Sequence, residues 1–227
     1  MGSFVDLKAP DGFVFPAYVA QPTGKPKGGI VVVQEIFGVN SHIRSVADGY
    51  AAEGYLAVAP STFHRVKPGV DIGYSPDDMA AGSALKAAVE ALPAPGVMQD
   101  LQTAVQYAAQ AGKVGIVGFC WGGLLTWRAA CTLGGLAAAV PYYGGGMTTP
   151  DEIARVPKVR VLAHFGDQDR WISMNSVEAF RKTHHEVEVH TYHANHGFNC
   201  DQRASFDRAA ASQARERTLA FFAKHLA

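Results

Sequence analysis

Apolar positions along the chain fall into two alternating patterns: short β-branched runs, and longer stretches with helical spacing. "GIVVVQE" is nearly continuous and β-branched, which suits a strand buried on both faces. In "NSHIRSVADGYAAEG", Ile43, Val46, Ala47 and Tyr50 recur at helical spacing. Asn40 or Ser41 caps this helix and Gly54 closes it, before "YLAVAP" follows as a second buried strand. The alternation continues with a helix in "GVMQDLQTAVQYAAQAG", the strand "KVGIVGF" and a helix in "WGGLLTWRAAC". "LAAAVPYYGG" and "KVRVLAHFG" are two more strands, "SMNSVEAFRKTH" is helical, "EVEVHTYH" is a strand, and a closing helix ends the chain. Near the start, "FVFPAYVAQP" is expected to be an edge strand, because Pro16 removes a ladder hydrogen bond, and "QPTGKPKG" is a connecting loop.

Strands alternating with helices predict an α/β fold: a mostly parallel central sheet with helices on both faces. Neither a linker nor an internal repeat interrupts the pattern, so one domain over residues 1–227 is expected. Ser61 to Pro95 is the least regular region. It has an alanine-rich middle, contains some helix and is a candidate cover for an active-site mouth.

The 227 residues are 48% hydrophobic, enough for one substantial core. Twenty Lys and Arg balance twenty Asp and Glu, and no basic block suggests a nucleic acid or an anionic membrane as partner. Cys120, Cys131 and Cys200 are too few and too irregular for a disulfide framework, which favours a reducing compartment. "MGSFVDLKAPDG" has neither a basic region nor an apolar signal core, and no apolar run is long enough to span a bilayer. A soluble cytoplasmic protein is expected, as a monomer or weak homo-oligomer.

The candidate chemistry begins at "KVGIVGFCWGGL". Gly118-Phe119-Cys120-Trp121-Gly122 has the G-x-nucleophile-x-G arrangement between a predicted strand and a predicted helix, with cysteine where an esterase usually has serine. A sharp strand-to-helix turn projects such a nucleophile above the sheet, and glycines remove side chains that would strike neighbouring backbone. The first amides of the following helix are unpaired and its dipole favours a thiolate, so the Trp121 amide can also point at a developing oxyanion. The glycine spacing disfavours a dinucleotide fingerprint.

A nucleophile of this kind is followed in chain order by an acid and then a histidine. "VLAHFGDQDRWIS" presents Asp167 and Asp169 beyond the carboxyl end of a strand, and "VHTYHANHGFNC" presents His193 and His196 in the same way. Spacing favours His196 as base with Asp169 fixing its tautomer, and leaves His193 and Asp167 as rivals.

These motifs and their order resemble the dienelactone hydrolase family, the cysteine-nucleophile branch of the α/β-hydrolase fold. The resemblance covers almost the whole chain and rests on "QEIFGVNSHIRSVADGYAAEGYLAVAP", "GIVGFCWGG", "GDQDRWIS" and "HGFNCDQR". It implies hydrolysis of a small ester or lactone, a setting in aromatic compound degradation, no cofactor and a triad of Cys120, Asp169 and His196. It further implies that Glu35 contacts the resting cysteine and helps generate the thiolate as substrate binds. By the same resemblance the amides of Ile36 and Trp121 form the oxyanion hole.

Family members grip a substrate carboxylate with two arginines, one shortly after the catalytic histidine. Cys200 stands at that point here, Arg203 comes three residues later, and the segment before the nucleophile offers only Lys86. Arg65 and Arg170 are the other candidates for anion contact, or else structural ion-pair partners. Phe37, Phe63, Tyr143, Trp171 and Phe198 are candidate pocket walls for a small ester, together with Phe119, Trp121 and Tyr142. Among alternatives, nine histidines raise a metal enzyme, but no cysteine or acid completes a recognisable ligand spacing, so no metal is expected. A non-catalytic binder on a hydrolase scaffold is weighed against the intact set of Glu35, Cys120, Asp169 and His196.

Overall fold

A computed structural model describes residues 1–227. The β-branched runs become β3 (Gly29–Val33), β4 (Leu56–Pro60), β5 (Val114–Phe119), β6 (Leu136–Tyr142), β7 (Arg160–Gly166) and β8 (Glu188–Tyr192). Two further strands, β1 (Ser3–Lys8) and β2 (Val14–Ala20), precede them. All eight form one sheet in the order β1-β2-β4-β3-β5-β6-β7-β8. Pairings from β4 across to β8 are parallel, whereas β2 runs antiparallel to both β1 and β4. β3, β4 and β5 are buried along their full length, as strands covered on both faces must be.

The helices are α1 (Ser41–Ala52), α2 (Pro76–Glu90), α3 (Met98–Ala108), α4 (Trp121–Thr132), α5 (Pro150–Ile153), α6 (Met174–Thr183) and α7 (Arg208–Leu226). Strand alternation assigns them to faces. A Cβ on Gly115 would meet Phe222 of α7, whereas one on Gly118, on the opposite face of β5, would meet Gly122 and Thr126 of α4. Tyr50 of α1 packs on Phe222, which puts α1 beside α7. Phe180 of α6 meets Trp127 of α4 edge to face at 5.0 Å, and α3 touches α4, so these three share the other face. No helix is long and apolar enough to cross a membrane.

The topology also fixes where a site opens. After β3 the chain crosses to β4 on one side, then returns past β3 to β5 on the other, and such a reversal leaves a crevice at the carboxyl ends of the two central strands. Val33 pairs with Gly118, so the segments that follow, with Glu35 and Cys120, leave the sheet side by side.

Two expectations are corrected. β2 is not the edge, because β1 covers it. Pro16 lies opposite Asp6, and its carbonyl accepts from the Ser61 amide beyond the end of β4, so its missing donor falls where the β4 ladder has ended. Ser61 to Pro95 is more regular than its composition suggests, since α2 supplies fifteen of its residues. Ser75 and Asp78 form a reciprocal capping box with Pro76 at the first turn, a local signal independent of core periodicity. Asn40, rather than Ser41, caps α1 through the Ile43 amide.

Candidate active site

Cys120 sits on the turn between β5 and α4 with φ 56° and ψ −118°, a region that costs a non-glycine residue about 1–3 kcal/mol. Surrounding bonds hold it there. Its amide donates to the Tyr142 carbonyl at 3.1 Å, and its carbonyl accepts from Gly123 and Gly145 at 2.9 and 3.2 Å. Both flanking glycines are required by close approach: a Cβ on Gly118 would lie 2.1 Å from the Gly122 carbonyl oxygen, and one on Gly122 would lie 2.3 Å from that of Gln34. The sulfur is thereby presented to a cavity of about 380 Å³ that Ile36, Trp121, His196 and Arg203 also line.

His196 and Asp169 come from the loops after β8 and β7 and meet in the interior. His196 Nδ1–H donates to Asp169 Oδ2 at 2.6 Å, and Asp169 Oδ1 accepts from the amides of Trp171 and Ile172 at 2.8 and 3.2 Å. One carboxylate oxygen therefore orients the imidazole while the backbone fixes the other, leaving Nε2 for Cys120. Burial pushes the His196 pKa down, but the Cys120 sulfur and the Asp169 carboxylate push it up more strongly, to about 10. These two neighbours thus favour the protonated imidazole. His193 and Asp167 make a separate pair at 3.2 Å, with the His193 side chain 81% exposed.

Glu35 leaves the end of β3 into the interior. Its Oε1 accepts from Arg203 Nη1 at 2.9 Å, while Oε2 has no hydrogen-bond partner. Its hydrogen bond is thus to Arg203 rather than to Cys120. Sequence distance hid this arginine. Successive three-residue turns, with amides of Cys200, Arg203 and Phe206 donating to carbonyls of Gly197, Cys200 and Arg203, fold it back to the cavity. There the guanidinium lies 5.8 Å from the Phe37 ring centre and 5.9 Å from that of Tyr74. Lys86, Met79 and Ser83 of α2 line the same cavity, with Lys86 bonded to Glu90 at 2.8 Å. The capping box of α2 was the available signal for this cover. No turn or loop backbone hydrogen bond engages the amides of Ile36 and Trp121, which border the cavity.

The expected walls divide into two groups. Phe37 and Trp171 line the cavity, Trp171 at its exposed rim. Phe63, Tyr143 and Phe198 are buried behind it: Phe63 stacks on Trp121 at 5.1 Å, Tyr143 lies 5.1 Å from the His196 ring, and Phe198 packs on Tyr143. They pack behind the residues that line the cavity. Arg65 is elsewhere. It forms a two-bond fork with Asp100 at 2.7 and 2.8 Å, a second fork with Asp11, and lies over Phe13 at 4.4 Å. Its role is structural, because four of its five N–H donors are taken by those two carboxylates. Arg170 is exposed.

Comparison with known proteins follows from this geometry. The family model for the dienelactone hydrolase family matches residues 15–226. The chain belongs to that family. A Synechocystis protein named "Putative carboxymethylenebutenolidase" is 34% identical over 228 residues, covering 92% of this chain and 91% of its own length. A Pseudomonas putida carboxymethylenebutenolidase is 32% identical, covering 96% and 95%. The crystal structure of a "Putative Dienelactone Hydrolase" from Klebsiella pneumoniae superimposes with a TM-score of 0.84 at 32% identity over 99% of both chains. This member of the dienelactone hydrolase family thus has the α/β-hydrolase fold over its full length and is a carboxylic ester hydrolase of the dienelactone hydrolase type.

Proposed function

We propose that the protein hydrolyses a small ester or lactone through a thioester intermediate on Cys120. The observation that carries this reading is the strained elbow cysteine facing a buried histidine that is locked to a buried carboxylate. The Cys120 thiolate attacks the carbonyl carbon, and the displaced electron pair moves to the oxygen, where the Ile36 and Trp121 amides donate. Collapse breaks the carbon–oxygen bond. The leaving oxygen takes a proton from His196 Nε2 as the thioester forms. His196 then removes a proton from water, whose oxygen attacks the thioester, and expulsion of the Cys120 thiolate releases the acid. Asp169 holds the tautomer throughout. Glu35 retains Arg203 in the cavity through Oε1, which makes it a positioning residue for that cation.

Arg203 and Lys86 give the cavity two cations set among Phe37, Met79 and Trp171. That combination suits a small acyl group bearing a carboxylate, the dienelactone-like class. The test is intact-mass analysis after reaction with a small activated aryl ester. The wild type should carry a transient acyl adduct, Cys120→Ala none, and His196→Ala a longer-lived one. Undiminished steady-state turnover by folded Cys120→Ala would overturn the mechanism.

A further inference from the structure

Behind the catalytic cavity, two segments far apart in the chain meet: the connection from β3 to α1, with Glu35 and His42, and the turns after His196, with Cys200. One ligand-type atom of each lies within 4.8 Å of the others, and all three residues are buried. This grouping has no spacing signature, which is why the histidines and cysteines suggest no metal when read along the chain.

The remaining polar atoms of these side chains are already committed. Glu35 Oε1 holds Arg203, and His42 Nδ1 lies 3.3 Å from Asp201 Oδ1. A carboxylate only accepts, so Nδ1 carries the proton and Nε2 presents a lone pair. Glu35 Oε2 and His42 Nε2 are both buried with no hydrogen-bond partner, although Glu35 is 1% exposed and His42 3%. Two orphaned acceptors beside a buried thiol cost free energy unless something between them supplies positive charge. A carboxylate that orients the far nitrogen of a histidine is also the usual outer shell of a metal-binding imidazole.

We propose that Glu35 Oε2, His42 Nε2 and Cys200 Sγ bind a divalent transition-metal cation of zinc type. Mixed oxygen, nitrogen and sulfur donors suit zinc and disfavour magnesium or calcium. Cys200 binds as thiolate, its proton passing to solvent, and supplies one negative charge, while the Glu35 carboxylate is shared between the ion and Arg203. The fourth tetrahedral position is left to water. His42 and Asp201 also line a second cavity of about 460 Å³ between α1 and the start of α7, on the Asp201 side of the imidazole. Because Glu35 also holds Arg203, an ion here acts directly on the residue that the hydrolytic mechanism places at the cavity mouth.

The test is independent of turnover. Metal-free protein is titrated with Co²⁺, following sulfur-to-cobalt charge-transfer absorption, and with Zn²⁺ in competition with a chromophoric chelator. One equivalent should bind, with a charge-transfer band that survives Cys120→Ser and disappears in Cys200→Ser. Asp201→Asn, at an exposed position that leaves the core intact, should weaken binding about ten- to a hundredfold. Absence of the band in the wild type overturns the proposal and leaves the orphaned atoms to a bridging water. So does a band lost in Cys120→Ser but kept in Cys200→Ser, which would place the metal on the catalytic pair. Should Cys200→Ser fail to fold, the wild type, Cys120→Ser and Asp201→Asn decide the question between them.

Discussion

Replacing Arg203 with methionine removes the one hydrogen-bond partner of a carboxylate that is 1% exposed. The substitution roughly preserves the length of the side chain, so the lost quantity is the charge and its hydrogen bond. Breaking a buried ion pair by removing one partner costs about 3–5 kcal/mol, because the other charge is left uncompensated. With a urea m-value of about 3 kcal/mol/M for a domain of this size, the denaturation midpoint should fall by about 1–2 M. Glu35→Gln combined with Arg203→Met removes both charges and should recover most of that loss, since no buried charge remains to be paired. The assay is urea denaturation of wild type, both single variants and the double variant, closed as a double-mutant cycle. Equal midpoints for wild type and Arg203→Met, or a double variant no more stable than Arg203→Met, would refute the reasoning: Arg203 would then not be what compensates Glu35.

Asp169→Asn keeps the shape but loses the acceptor that fixes the His196 tautomer. Turnover of an activated ester should fall by about 10³–10⁴ with little change in melting temperature, and a fall of less than tenfold would remove Asp169 from the triad. In NMR titration of wild type, the His196 imidazole should stay protonated through neutrality. Its folded pKa is raised from 6.5 to about 10, so the stabilisation from this group is complete below about pH 6.5 and is lost as pH rises through about 10. In Cys120→Ala the influence of the sulfur is gone and the titration should move to lower pH; identical curves would mean that no thiolate pairs with His196. Arg65→Met leaves Asp100, whose side chain is 2% exposed, without its fork and should cost about 3–5 kcal/mol, while kcat/KM per folded molecule stays within about twofold. A selective rise in KM would return Arg65 to the substrate cavity.

What could be read from the sequence follows the range over which each signal acts. The parallel strands and their helices are legible because "GIVVVQE", "YLAVAP" and "KVGIVGF" carry their burial in their own composition. Cys120 is legible because an elbow is a local device, with Gly118 and Gly122 within two residues of it. Pro16 misled for the same reason. It reports only that one donor is missing, and whether that marks an edge depends on β1, a short strand whose mostly exposed residues carry little burial signal.

Side chains at loop ends lie beyond that range. Asp167 and Asp169 differ by two residues and His193 and His196 by three, yet one pair is buried and locked while the other is at the surface. What separates them is the pair of amides at Trp171 and Ile172 that turns Asp169 inward. Arg203 was hidden by a run of tight turns that converts sequence distance into proximity, and Arg65 was misplaced because Asp11 and Asp100 approach it from distant segments. Glu35, His42 and Cys200 are the extreme case: they meet only because the turns beyond β8 bring Cys200 back to the segment that joins β3 to α1. The same fold that exposes a nucleophile in the crevice beyond β3 and β5 thus gathers buried, incompletely bonded donors just behind it. Chemistry beyond acyl transfer should be sought there rather than along the chain.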